Sequence, residues 1–190
     1  MDSVAGYYPY RDVYHTTTDD VSTGLGVFEE AIETTIGVFS AVSAIRKNIF
    51  AYERLREFPT RINKDDSEFK GIESRFASEY ELYSDDYAFG WTDLNLIRHA
   101  ETVNKLSSIM LTHLDVLNEA ETIKICKQYV PSAESDDTKI FDKSLPSNIE
   151  TWEKLTPEFI DLPGWQQDLS GAQDFGELPA EALGFIRNLE

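Results

Sequence analysis

The chain has 190 residues, of which 41% are hydrophobic and 12% aromatic, so it can bury a real core and lacks the composition of a disordered protein. Its 35 acidic residues against 17 basic ones give a formal net charge of −18, which argues against a nucleic acid partner because phosphates would be repelled at long range. A single cysteine, Cys126, excludes an internal disulfide and a cysteine-rich metal site.

The chain start lacks the basic and apolar segments of a signal peptide, and no apolar stretch reaches the roughly 20 residues that a membrane span needs. We therefore expect a cytoplasmic protein with no membrane partner. The length suits a single domain over residues 1–190, with a turn-rich start and helical region over 1–75 and the remaining elements over 76–190.

In chain order, residues 1–26 are rich in turn-forming residues, and the apolar spacing predicts a helix over 27–50. Residues 51–75 indicate a charged loop, and 76–90 indicate irregular structure. Thr92 is the expected N-cap of a helix over 93–106, which two strands over 107–113 and 121–129 follow. An acidic loop over 131–146 and a last helix over 179–189 complete an α/β to α+β fold, with helices packed on a small mixed sheet.

The sequence contains no glycine-rich phosphate-binding motif and no recognisable serine or cysteine nucleophile signature, so we predict no catalytic residue. Its three histidines, His15, His99 and His113, are too far apart for a zinc-binding pair, and we predict no metal site. Cys126 is typical of a small apolar residue buried in a strand.

His113 ends a predicted strand immediately before Leu114 and Asp115. Side chains at the carboxyl ends of strands often line the ligand crevices of open α/β sheets. Two interpretations of Asp115 remain open, namely a structural role as an N-cap or turn residue and a role in binding.

Three groups of motifs together resemble adenylosuccinate synthetase, the family that joins IMP and aspartate at the expense of GTP. The first group is Gly6-Tyr-Tyr-Pro-Tyr10, Thr16-Thr17, Val21-Ser-Thr-Gly-Leu-Gly26, Ile36-Gly-Val-Phe-Ser-Ala41 and Phe58-Pro-Thr60. The second group is Gly90-Trp-Thr-Asp93, Thr112-His-Leu-Asp-Val-Leu117 and Ile123-Lys-Ile-Cys126. The third group is Leu162-Pro-Gly-Trp165, Ser170-Gly171, Leu178-Pro-Ala-Glu-Ala182 and Phe185-Ile186.

The resemblance implies the fold of the C-terminal portion of that family, in a truncated and diverged form. It assigns guanine reading to Asp115, with Leu114 as a packing neighbour and His113 in place of the family's lysine. It assigns weaker substrate contacts to Asp12, Thr16 and Thr17. Nucleotide partners implied in this way are GTP and IMP.

Two departures from the family pattern bear on activity. The resemblance implies that the family's phosphate loop, general base, general acid and most magnesium contacts precede Met1, so GTP and Mg²⁺ are expected only if activity is retained with a partner. The family's arginine-rich aspartate-binding loop corresponds to residues 81–89, which contain no arginine and include Asp85 and Asp86. These carboxylates would repel an aspartate substrate where arginines would clamp it.

Three hypotheses follow. The favoured one is an adenylosuccinate synthetase-like protein that is inactive alone. The second is one half of a split enzyme, active with a complementary chain. The third is a non-enzymatic interaction or scaffold module that binds a partner or a second copy of itself.

Overall fold

The computed structural model describes residues 32–46, 59–133, 139–142, 144–146 and 149–190. Its strands are β1 (Ile36–Ser40), β2 (Val42–Arg46), β3 (Tyr87–Asp93), β4 (Ser108–Thr112), β5 (Thr122–Pro131) and β6 (Leu155–Pro163). Its α-helices are α1 (Phe69–Tyr80), α2 (Leu94–Asn104), α3 (Ile149–Trp152) and α4 (Ala180–Arg187), and 3₁₀ turns lie at Leu114–Leu117 and Phe175–Glu177. The mixed α and β content predicted from the sequence is confirmed. No helix in these ranges is both long and apolar enough to cross a membrane.

The strands form two sheets, and the chain passes directly from β1 in one sheet to β2 in the other. β1 pairs with β4 in parallel, and the second sheet has the order β2-β3-β5-β6, in which only β3 and β5 are parallel. Ala41 lies between β1 and β2, where its N–H donates to the Thr112 carbonyl and its carbonyl accepts from the Thr92 hydroxyl. These bonds hold the chain where it passes from one sheet to the other.

The predicted helix over 27–50 is wrong wherever the structure describes it, because residues 36–46 form β1 and β2. Residues 27–31 and 47–50 lie outside the described ranges. Short apolar runs fit either period, and here pairing with β4 and β3 decides the outcome. Gly37 also disfavours a helix, and a Cβ at that position would come within 2.6 Å of the Leu106 side chain.

Three further elements differ from the prediction. α1 and β3 replace part of the loop and irregular structure predicted over 51–90, of which residues 51–58 lie outside the described ranges, and β6 had no predicted counterpart. The apolar stripe of α1 was obscured because charged residues separate Phe69, Ile72 and Phe76. The N-cap of α2 is Asp93 rather than Thr92, since the Asp93 carboxylate accepts from the N–H groups of the first helical turn. The two predicted strands over 107–113 and 121–129 correspond to β4 and β5, and the last predicted helix corresponds to α4.

The main core joins α1 to β3 and to the 3₁₀ turn at Leu114–Leu117. The Phe76 ring of α1 stacks on the Phe89 ring of β3, with centroids 4.8 Å apart and the ring planes nearly parallel. Val116 and Leu117, on the inner side of the turn, are also buried in this core. This packing determines where the end of α1 lies relative to the turn.

The turn after β6 contains a close backbone contact that requires glycine. A Cβ built on Gly164 would lie 1.8 Å from the carbonyl oxygen of Ala120, while the Gly164 N–H donates to the Glu121 carbonyl at 2.9 Å. Trp165, the next residue, is buried and its Nε1–H donates to the Asn118 side chain. The Leu-Pro-Gly-Trp motif is therefore a packing motif that brings β6 close to the start of β5.

We expect Gly164→Ala to destabilise the fold by about 3 kcal/mol or more, because backbone atoms would have to move apart. Gly184→Ala is the matched control. A Cβ at Gly184, inside α4, meets nothing within 4 Å, so that change should raise the free energy of unfolding by about 0.5–1 kcal/mol. Urea unfolding of both variants measures the difference, and equal effects would contradict the close contact.

A second, smaller core encloses the Asp93 carboxylate beneath α2. Asp93 is buried, its Oδ1 accepts from the N–H groups of Asn95 and Leu96, and its Oδ2 accepts from the Tyr129 hydroxyl. Tyr129 packs edge-on against Trp152, next to Cys126, which is buried in a strand as predicted. Burial outweighs the hydrogen bonds and raises the pKa of Asp93 to about 6.

This raised pKa predicts a specific pH dependence of stability. Between about pH 4 and pH 6 the native state binds more protons at Asp93 than the unfolded state does, so this group's contribution to stability falls as the pH rises. Asp93→Asn removes the contribution. We expect the difference between the two free energies of unfolding, variant minus natural chain, to rise by roughly 2–3 kcal/mol between pH 4 and pH 7.

Denaturant unfolding across this pH range measures the effect. Asp161→Asn, an exposed change on β6 that removes the same charge, is the control. Curves for Asp93→Asn and the natural chain that stay parallel would contradict the prediction.

Candidate functional site

An open cleft of about 710 Å³ lies where the end of α1 meets the 3₁₀ turn at Leu114–Leu117 and the loop before α4. Both charged and apolar side chains line it. They are Arg75, Glu79, Tyr80, Leu114, Asp115, Asp168, Leu169, Ser170, Ala172 and Leu178. Two of the three residues predicted for guanine binding, Leu114 and Asp115, lie on its wall.

Asp115 is half-buried in the first turn of the 3₁₀ segment. Its Oδ1 accepts a hydrogen bond of 2.9 Å from the Tyr80 hydroxyl, and its backbone carbonyl accepts from the Asn118 N–H at 3.1 Å. Burial, followed by the adjacent Asp115, raises the pKa of Tyr80 to about 12, so this phenol remains a donor at neutral pH. A carboxylate has about four acceptor sites, which leaves Asp115 able to accept further bonds from the cleft.

His113 is not among the residues that line the cleft, but its ring contacts Tyr80, which is. Its backbone is left-handed, with φ of 57°, and its ring meets the Tyr80 ring edge-on with centroids 4.4 Å apart. Its Nδ1 lies 2.9 Å from Ser40 Oγ and 3.2 Å from Thr112 Oγ1. The histidine predicted as a direct contact is thus placed as a neighbour of Tyr80.

A second part of the cleft wall is organised around Asp168. Its carboxylate accepts from the side chain of Asn118 at 3.1 Å and from the N–H and hydroxyl of Ser170 at 3.0 and 2.9 Å. The Ser170 N–H is the main cause of a lowered pKa at this exposed carboxyl. Asn118 in turn accepts from the indole of Trp165, so the wall is connected to the buried core.

The remaining lining groups define what the cleft can bind. Leu114, Leu169 and Leu178 provide apolar surface against which a flat ring can pack. Among the described residues that line the cleft, Arg75 is the only one with a cationic side chain, and its Nη1 lies 3.6 Å from Glu79 Oε1 in an ion pair. Because carboxylates dominate, the cleft favours the hydrogen-bond donor edge of a neutral ring over a phosphate group.

Other predicted residues lie elsewhere. Asp12, Thr16 and Thr17 lie outside the described residues. Asp85 and Asp86 are exposed in the turn before β3. Within the ranges described, no three acidic, histidine or cysteine side chains come together to hold a metal ion. Tyr80 and Asp168 were missed, because an isolated tyrosine at a helix end and one more aspartate in an acidic chain carry no distinctive sequence signal.

Comparison with known proteins agrees with the motifs. The family model described as adenylosuccinate synthetase matches residues 1–190. Adenylosuccinate synthetases of Geobacter sulfurreducens and Paramecium tetraurelia are each 33% identical to the chain over 191 residues, and the alignments cover all of it. The same alignments cover 40% and 41% of those relatives, so the chain spans about two fifths of their length.

The fold also has a counterpart among solved structures. The structure of fully ligated adenylosuccinate synthetase from Plasmodium falciparum superposes with a TM-score of 0.80, covering 97% of this chain and 41% of that protein at 24% sequence identity. The likeness in this case is one of fold. It confirms the predicted C-terminal portion of the adenylosuccinate synthetase fold.

Proposed function

This chain belongs to the adenylosuccinate synthetase family, and we propose that its cleft binds guanine. We further propose that the chain by itself does not catalyse the family's ligase reaction. The main support for guanine binding is the position of the Asp115 carboxylate, which lies on the wall of an open cleft beside apolar side chains. A cytoplasmic location, which the sequence favours, remains part of the proposal.

Guanine fits this arrangement because of its hydrogen-bonding edge. The ring presents N1–H and the N2 amino group side by side, and both can donate to a carboxylate. Adenine has an acceptor at N1 and no amino group at C2, so it would leave Asp115 without donors in a partly desolvated position. Leu114 and Leu178 supply apolar surface for the ring faces.

The absence of turnover is supported by the sequence. Phosphoryl transfer depends on positioned phosphates and metal, and these 190 residues contain no glycine-rich phosphate loop. The segment over 81–89 carries Asp85 and Asp86 in place of the arginines that the family resemblance would supply. Both carboxylates are exposed and would weaken the approach of an aspartate substrate.

We expect the chain to bind guanosine more tightly than adenosine, and Asp115→Asn to weaken guanosine binding about tenfold or more. The asparagine amide places a donor against one of the two guanine donors. Inosine has N1–H alone, so the variant should lose less affinity for it. Isothermal titration calorimetry with the nucleosides measures the base contacts without phosphate repulsion.

Asp161→Asn, which removes an exposed charge on β6, should bind guanosine as the natural chain does. Equal binding of guanosine and adenosine, or no binding of either, would contradict the proposed function.

A second candidate function, one half of a split ligase completed by another chain, is favoured by the sheet of β1 and β4. Parallel strands are usually covered on both faces, and a two-stranded sheet is marginal by itself. The register places Val38 opposite Met110 on one face with Ile36, and these side chains are 65%, 54% and 54% exposed. Such a face suits the remainder of an adenylosuccinate synthetase fold.

An assay with IMP, GTP, aspartate and Mg²⁺ separates the two candidates. We expect no adenylosuccinate from the purified chain alone, measured by chromatography of the product. If the second candidate holds, adding the part of the Geobacter sulfurreducens relative that this chain does not span produces turnover, and Val38→Asp abolishes it while Asp161→Asn does not. Turnover by the chain alone would contradict the favoured proposal.

A further inference from the structure

A carboxylate that recognises two neighbouring donors must hold its plane in line with the base. Aspartate can occupy three staggered χ1 wells and its χ2 torsion is broad and roughly two-fold, so neither torsion of the side chain enforces this orientation by itself. In this chain Oδ1 of Asp115 accepts from the Tyr80 hydroxyl at 2.9 Å, a charge-assisted bond of good length. Among the described residues, Oδ2 has no hydrogen-bond partner and remains available to a ligand.

Tyr80 is itself held from two sides. It is the last residue of α1, whose C-cap Glu81 takes up a left-handed conformation while its N–H donates to the Phe76 carbonyl. The Phe76 ring, stacked on Phe89, lies 6.0 Å from the Tyr80 ring. The helix therefore presents the phenol to Asp115 from a position that is fixed by the buried packing of Phe76.

On its other side Tyr80 meets the His113 ring, whose orientation is determined by hydrogen bonds. The Ser40 hydroxyl donates to the Val42 carbonyl, and the Thr112 hydroxyl donates to the Phe39 carbonyl. Each hydroxyl has one proton, so both can only accept from His113, and Nδ1 must carry a hydrogen. The ring is thereby fixed at nearly a right angle to the Tyr80 ring.

From these contacts we propose that Tyr80 is a positioning residue. It orients Asp115 so that the carboxylate binds the paired donors of guanine in preference to the single donor of hypoxanthine, and His113 supports Tyr80 in this position. The inference rests on the proposed function, because it assigns the base selectivity of the same cleft. Tyr80 uses one acceptor site of the carboxylate and leaves the others to the base. It therefore holds Asp115 in place without competing for the whole group.

The first test needs no ligand. Three-bond couplings from Asp115 Cγ to its backbone nitrogen and carbonyl carbon report χ1 populations by NMR. We expect a single rotamer in the natural chain and averaged couplings in Tyr80→Phe, which keeps the ring and loses only the hydroxyl. Tyr83→Phe, an exposed change of the same kind nearby, should leave the couplings as they were. Unchanged couplings in Tyr80→Phe would overturn the inference, whether or not any nucleoside binds.

The second test is the ratio of guanosine to inosine affinity, a selectivity that a merely structural role would leave unchanged. We expect Tyr80→Phe to lower this ratio roughly 3- to 10-fold, and Tyr83→Phe to preserve it. His113→Asn removes the ring while tolerating the left-handed backbone, and should lower the ratio by a smaller factor. If the natural chain binds guanosine selectively and Tyr80→Phe keeps the ratio or raises guanosine affinity, the positioning role is wrong while the proposed function stands.

Discussion

The packing of α1 on β3 is the constraint on which the candidate site depends. Phe76 stacks on Phe89, and four residues later the helix ends with Tyr80 directed at Asp115. Because the spacing of one helical turn places residues i and i+4 on the same face, burying Phe76 also determines where Tyr80 can reach. The core and the cleft are therefore built by one helix, and a change in its packing would alter both.

The distribution of charge also limits the chemistry. The chain carries a formal net charge of −18, and the part of the cleft that the structure describes has three carboxylates beside a single arginine, which lies in an ion pair with one of them. Such a surface repels phosphates but offers acceptors to neutral donor groups. In the proposed function, base recognition is therefore separated from phosphate handling, which agrees with the lack of a phosphate loop in the sequence.

Much of the local structure could be predicted from the sequence wherever the spacing of apolar residues clearly fitted a helix or a strand. The stripe of α2 and the apolar runs of β4 and β5 were predicted to within about two residues. The error over 27–50 arose because short apolar runs fit a helix or a strand, and pairing with β4 and β3 decided between them. β6 was missed because its partner, β5, supplies the hydrogen bonds that define it, and these lie some thirty residues away.

The sequence by itself determined the family, through motifs spread over most of the chain, and it singled out Asp115 and Leu114. It also determined the acidity and the absence of a phosphate loop, since both are properties of composition and local pattern. Only the tertiary structure decided that Tyr80, His113 and Asp168 belong to the same region, and that Gly164 is required by the carbonyl of Ala120. The reason is physical: hydrogen bonds and steric contacts join residues 35 to 73 positions apart, and no local sequence pattern records them.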